Sequence, residues 1–295
     1  MYNTLHKLKL SHVFSRNFIT EDFLPFKLLY KLVKKVNWSK KVHKNGVTFT
    51  VLIKDGVGIM NFIDDYETWF DDILAKIIEK EDAVFIDIGA NIGQTMLKVL
   101  PKRPNIRYYG IEPNPHCVKY LEALADANKF KHVKIIESAI SDADGEIELL
   151  TRYGDDILAT TTHLFRKFTK YAVKTKVGMT TGDAVIDAEN LTQVNIIKID
   201  IEGGESKAIK GLMGTIKKFQ PYMICEILPL PTEDEGVTTF RTMSANSILS
   251  NLRELNYLAM NIVTGNEINS VEDLSTSLES CNYLFLPKVK ADILK

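Results

Sequence analysis

From residue 84 to residue 287 the apolar positions fall into short β-branched runs, separated by stretches in which apolar residues recur at helical spacing. The runs 84–88, 106–111, 133–136, 195–201 and 222–227 have almost wholly apolar bodies, as expected of strands covered on both faces. Helical spacing fills 93–100, 115–128, 205–218 and 245–255, and Asn114-Pro115 supplies a cap residue followed by proline at the first helical position. Two further runs, 257–263 and 282–286, bring the predicted strands to seven. Strands alternating with helices imply an α/β domain, a mostly parallel seven-stranded sheet with helices on both faces. Residues 1–80 stand outside that repeat: 23–36 is a basic amphipathic helical pattern, and 47–53 followed by Gly56 and 57–62 reads as a small hairpin. The expected organisation is therefore an N-terminal extension, 1–80, and a main domain, 81–295.

Composition narrows the class. With 45% hydrophobic and 25% charged residues, the 295-residue chain is ordinary for a folded domain, which excludes disordered and fibrous classes. The net charge of −1 gives no global field for a polyanion, so nucleic acid is not an expected partner. That neutrality is uneven: residues 1–45 hold ten Lys or Arg against two acids, net +8, and the remainder is net −9. A basic segment at 23–45 with interleaved apolar residues can rest on an anionic membrane surface or pack on the main domain with its lysines solvated. Cys117, Cys225 and Cys281 are too few and scattered for a disulfide framework or a metal-binding pair, and read as small buried apolar residues in a reduced, cytoplasmic setting. No run approaches the ~18 apolar residues that span a bilayer, and no signal-peptide core forms near Met1. The sequence names no oligomeric state.

The chemistry concentrates at strand ends. Phe85-Ile-Asp-Ile-Gly-Ala-Asn-Ile-Gly93 is a strand running into a glycine turn and a helix, the place where an open α/β sheet binds a ligand. Its spacing is Gly89-x-x-x-Gly93, and Asn91 stands where the dinucleotide fingerprint needs a middle glycine. That favours a cofactor without a pyrophosphate and disfavours a nicotinamide oxidoreductase. Asp87 can contact the ligand or hold the turn by accepting its N–H groups. Glu112 ends the second strand, placed to accept hydrogen bonds from two ribose hydroxyls, and 136–142 would flank an adenine. The fourth strand ends Lys198-Ile-Asp-Ile-Glu-Gly-Gly-Glu205, setting Asp200, Glu202 and Glu205 on the same edge, with Glu226 ending the next strand. Such acids can orient a hydroxyl, act as general base, or ligate a hard cation, and Glu205 can also favour the start of the following helix. His163 and Arg166 lie in a polar stretch, 153–176, from which they can reach an acceptor.

Asp-Ile-Gly-Ala-Asn-Ile-Gly (87–93), Ile-Glu-Pro-Asn-Pro (111–115) and Lys-Ile-Asp-Ile-Glu-Gly-Gly-Glu (198–205), in this order and spacing, resemble the FkbM-type S-adenosylmethionine-dependent methyltransferases. The resemblance runs from about Asp65 to Pro287 and departs at Thr181-Gly-Asp183, where the family usually has Thr-Leu-Asp. It implies a class I (Rossmann-like) methyltransferase fold, S-adenosylmethionine as cofactor, and O-methylation of a glycan, glycolipid or polyketide hydroxyl. Asp87, Gly89, Asn91, Gly93, Glu112, Asn114, Ser138 and Ala139 are then the expected cofactor contacts, with Ser138 and Ala139 at the adenine. Asp200 and Glu202 are the expected catalytic acids, Glu226 is in reserve, and no resident metal is assigned. The rival reading is a module that binds an adenosine ligand without turnover.

Overall fold

The structure, a computed structural model, describes residues 37–44, 46–58, 61, 67, 69–78, 81–151, 159–161 and 173–294. Among these the elements in chain order are β1 (Trp38–Lys44), β2 (Val47–Ile53), α1 (Phe70–Ile77), β3 (Val84–Ile88), α2 (Gln94–Val99), β4 (Arg107–Glu112), α3 (Pro115–Asn128), β5 (Val133–Glu137), β6 (Ala139–Ser141), β7 (Gly145–Thr151), β8 (Val173–Thr181), α4 (Gly182–Ala188), β9 (Ile196–Ile199), α5 (Glu205–Lys210), α6 (Met213–Phe219), β10 (Tyr222–Glu226), α7 (Glu235–Glu254), β11 (Tyr257–Asn261) and β12 (Asn282–Pro287). The chain separates into two compact units, Met1–Thr68 and Trp69–Lys295. Where the sequence places α1 in the extension, its contacts place it in the second unit.

Within the first unit β1 and β2 form an antiparallel hairpin, from Trp38 opposite Ile53 to Lys44 opposite Val47. Of the expected pairing of 47–53 with 57–62, the described residues show the adjoining bridge between Lys54 and Val57, and β2 takes β1 as its ladder partner. The reason is Asn45-Gly46, a two-residue hairpin turn sequence whose glycine takes φ +78°. Residues 23–36, the expected basic helix, lie outside the described residues.

Seven strands of the second unit pair in the order β11-β12-β10-β9-β3-β4-β5. The pairs β9–β10, β3–β9, β3–β4 and β4–β5 are parallel, and β12 runs antiparallel between β10 and β11. Strand order therefore reverses at β3, where β4 lies on one side and β9 on the other. This is the switch point at which such sheets open a ligand crevice beyond the strand ends. One face carries Ile86, Ile88, Ile111, Ile197, Ile199, Met223 and Cys225, buried under apolar positions of α4, α5, α6 and α7. Alternate residues face the other side, where Phe85 and Tyr108 stack at 5.8 Å and α3 packs on β4 and β5. All three cysteines are buried and unbridged.

All seven strand positions match the sequence to within two residues at each end. A three-stranded sheet, β6-β8-β7, occupies part of what reads as a polar stretch. The expected helix over 205–218 is two helices broken at Gly211, where a Cβ would stand 2.0 Å from the Ser141 carbonyl oxygen. The expected 245–255 helix begins earlier, at Glu235, because the Asp234 side chain accepts from the Val237 N–H and caps it. Thr181 likewise caps α4, accepting from the Ala184 N–H at 3.2 Å, while Asp183 accepts from the N–H groups of Gly214 and Thr215 at the start of α6. No helix among the described residues is long and apolar enough to cross a membrane.

Candidate functional site

Beyond Ile88 the chain must turn within a few residues from the sheet into α2. Gly89 makes that turn at φ +87°, and a Cβ there would sit 2.0 Å from the Asp200 carbonyl oxygen, so only glycine lets the turn lie against the end of β9. Asn91 follows at φ +48°, also left-handed. Gly93 serves a different contact: its Cβ would meet Leu124 Cδ2 at 2.9 Å, so its absence seats α2 against α3.

Glu112 ends β4 and ties two turns together. Its Oε2 accepts from the Asn91 N–H at 2.8 Å and its Oε1 from the Asn114 N–H at 2.9 Å. Asn114 in turn caps α3, accepting from the His116 N–H at 3.1 Å. Burial pushes the Glu112 carboxyl up to about 7 against the downward pull of those two N–H donors. A carboxylate has about four lone-pair sites, so each oxygen can accept a further hydrogen bond. Asp87, by contrast, is fully buried and accepts a hydrogen bond from the Tyr108 hydroxyl.

The end of β9 is organised by charge. Period-two spacing puts Lys198 and Asp200 on one face, and the buried Lys198 Nζ lies 3.0 Å from Asp200 Oδ2. The chain then leaves the sheet through Glu202, which holds φ +56°, a left-handed conformation that a side chain rarely adopts. Thr160 donates its hydroxyl to the Glu202 carbonyl at 2.6 Å, and Glu205 Oε1 accepts from the N–H groups of Ile201 and Gly203 at 3.2 and 3.0 Å. Glu205 is therefore a brace for this turn. Its carboxyl is pushed up to about 7, chiefly by burial, with the nearby charges of Glu226 and Asp200 adding to the shift. Asp200, Glu202 and Glu226 each offer an oxygen, and the three lie within 4.8 Å of one another.

A cavity of about 480 Å³ joins the two corners. Of the expected residues, Gly89, Asn91, Glu112, Ser138, Ala139, Asp200 and Glu202 line it. Asp87, Gly93, Asn114 and Glu226 do not line it: Asp87 and Gly93 support the turn from behind, Asn114 caps a helix, and Glu226 is buried within the acidic cluster. His163 and Arg166 fall outside the described residues. Sequence reasoning passed over Lys198, Thr160 and a stripe of α7. Phe240, Met243, Ser244 and Ser247 of α7 line the cavity at i, i+3, i+4 and i+7 spacing, a signal visible in the sequence.

Comparison with known proteins accords with this geometry. Residues 87–259 match the family model described as methyltransferase FkbM domain. The 2-O-methyltransferase NoeI of Sinorhizobium fredii is 25% identical over 156 residues, 49% of this chain and 63% of that protein. The hexuronic acid methyltransferase AglP of Haloferax volcanii is 25% identical over 158 residues, 53% of this chain and 61% of that protein. The chain thus spans about three fifths of the length of these curated relatives. The crystal structure of an FkbM methyltransferase from Methylobacillus flagellatus KT superposes with a TM-score of 0.43 at 16% identity, covering 70% of this chain and 44% of that one.

Proposed function

Because the chain belongs to the methyltransferase FkbM domain family, we propose that it transfers a methyl group from S-adenosylmethionine to a hydroxyl oxygen of a carbohydrate-like acceptor. The observation that carries this reading is that one cavity is lined by Gly89 and Glu112 and also by Asp200 and Glu202. Its volume suits a small-molecule cofactor with part of an acceptor. The residues fit the cofactor: Glu112 has acceptor capacity for two ribose hydroxyls, and Gly89 and Asn91 of the turn line the cavity beside it. Ser138 and Ala139 flank the place for the adenine.

S-adenosylmethionine supplies, when bound, an activated sulfonium methyl group. The protein's part is to hold the reactants in line, exclude water and take up one proton. Asp200 and Glu202 line the cavity, so either can accept the proton that the acceptor hydroxyl loses as its oxygen gains the methyl. Glu226, 3% exposed, does not reach the cavity wall. An oxygen acceptor is favoured by the name of the 2-O-methyltransferase NoeI, and a sugar by the name of the hexuronic acid methyltransferase AglP and by the α7 stripe, whose Phe240 and Met243 offer an apolar platform and whose Ser244 and Ser247 offer hydroxyls.

The test is incubation with methyl-labelled S-adenosylmethionine and a panel of free sugars, uronic acids and polysaccharides. Label recovered as a sugar methyl ether is expected. Tight binding of S-adenosylhomocysteine with no label on any acceptor, sugar or otherwise, would leave the binding-module reading instead.

A further inference from the structure

We propose that Asp200, Glu202 and Glu226, together with the side-chain carbonyl of Asn282, form a site for one hard divalent cation, Mg²⁺ or Mn²⁺. The three carboxylates each bring an oxygen to within 4.8 Å of the others. Ligand oxygens around an octahedral cation with ~2.1 Å bonds are about 3 to 4 Å apart, so a small closure of the cluster completes the shell. An acidic cluster alone is common. What distinguishes this one is Asn282, which is 7% exposed and whose buried Oδ1 has no hydrogen-bond partner.

Asn282 is the cross-strand partner of Glu226 in the antiparallel pair β10–β12, so the two side chains leave the sheet on the same face at adjacent positions. A buried carbonyl oxygen without a donor is costly, and amid carboxylates the partner that suits it is a cation rather than another acceptor. Lys198 places a buried ammonium beside Asp200, and Glu205 is buried next to the three clustered carboxylates.

Glu226 and Asn282 close the site from the sheet side, and Asp200 and Glu202 open it to the cavity. Four protein oxygens leave about two positions of an octahedral shell, which the paired oxygens of a vicinal diol can fill. That use rests on the sugar O-methyltransferase reading; binding of the cation itself does not.

The experiment uses the full chain, stripped with a chelator and dialysed. MnCl₂ is titrated by calorimetry and by the electron paramagnetic resonance of free Mn²⁺, and S-adenosylhomocysteine is titrated into the same samples. One Mn²⁺ per chain is expected, with affinity falling at least about tenfold in Glu202→Gln and rising in Asn282→Asp, which adds charge where the amide oxygen stands. Glu202 is partly exposed, so that variant is decisive should Asn282→Asp fail to fold. No saturable binding by the wild-type chain, or affinity unchanged in Glu202→Gln, overturns the site. S-adenosylhomocysteine binding without Mn²⁺ binding would remove the cation site and leave the proposed function. Mn²⁺ binding that responds to the variants, without S-adenosylhomocysteine binding, would do the reverse.

Discussion

Glu112, at the tip of β4, and Glu202, just beyond β9, line the same cavity but are held in different ways. Glu112 has each oxygen fixed by a backbone N–H, from Asn91 and from Asn114, with Asp87 as its acidic neighbour. Glu202 belongs to a cluster of three carboxylates, and its backbone is forced into the left-handed region at φ +56°. A carboxylate pinned by N–H donors is prearranged for a partner that does not change during a reaction. Carboxylates crowded together hold electrostatic energy that a proton or a cation releases. On the proposed function, the difference suits the first corner to holding the cofactor and the second to chemistry, and strained backbone at the second is consistent with that division.

The largest expected effect separates the two corners directly. Glu202→Gln should lower turnover by ~10²–10⁴ while leaving S-adenosylhomocysteine affinity within about threefold. Glu112→Ala removes charge-assisted acceptors worth ~1.5–3 kcal/mol each and should weaken that affinity by at least about tenfold. Calorimetry and steady-state rates on one acceptor check both. Equal loss of cofactor affinity in the two variants would erase the distinction.

Stability against pH sharpens it next. Glu112 and Glu205 are both raised to about 7 in the fold from an ordinary value of 4.5, so the folded chain binds more protons than the unfolded one between these limits. Stability should therefore be greatest below about pH 4.5 as far as these groups decide it, fall as pH rises through about 7, and level off above, by about 3 kcal/mol for each carboxyl. The glutamine variants should differ. Glu205 accepts both of its N–H donors on one oxygen, which Glu205→Gln can reproduce, so that variant should flatten the pH slope at little cost. Glu112 uses both oxygens, and an amide nitrogen cannot accept from an N–H, so Glu112→Gln should also lose about 1–3 kcal/mol at pH 5. Urea midpoints at pH 5 and pH 8 measure this; equal behaviour of the two variants would contradict the difference in bracing.

These features differ in how far the sequence reveals them. The strands of the large sheet are buried on both faces and so are written as unbroken apolar runs such as Val84–Ile88. The strand β8 reads Val-Lys-Thr-Lys-Val-Gly-Met-Thr-Thr, with Val177 its one buried residue, so its polarity imitates a loop. The break between α5 and α6 depends on the approach of Ser141, a residue seventy positions before Gly211, which no local periodicity encodes. Gly89 and Glu112 are legible because turn geometry and strand-end placement need those residue types locally. Asn282 is not: it matters only through the register that sets it opposite Glu226 across an antiparallel pair.

The smallest expected effect concerns the strain at the acidic turn. A non-glycine residue in the left-handed region costs on the order of 1 kcal/mol, and glycine adopts it freely. Glu202→Gly should therefore raise stability by about 1 kcal/mol, aided by relief of repulsion within the cluster, even as it abolishes most turnover. Thr160→Val is the matching loss: it deletes the 2.6 Å bond to the Glu202 carbonyl and should lower stability by about 1 kcal/mol. In the double variant the two changes share one backbone segment, so their effects should not add, because glycine no longer needs Thr160 to hold the turn. Denaturant midpoints of the wild type, both single variants and the double variant form the cycle. A Glu202→Gly chain less stable than wild type would show that the left-handed turn is held without strain, and with that the energetic contrast to the N–H-braced corner would fail.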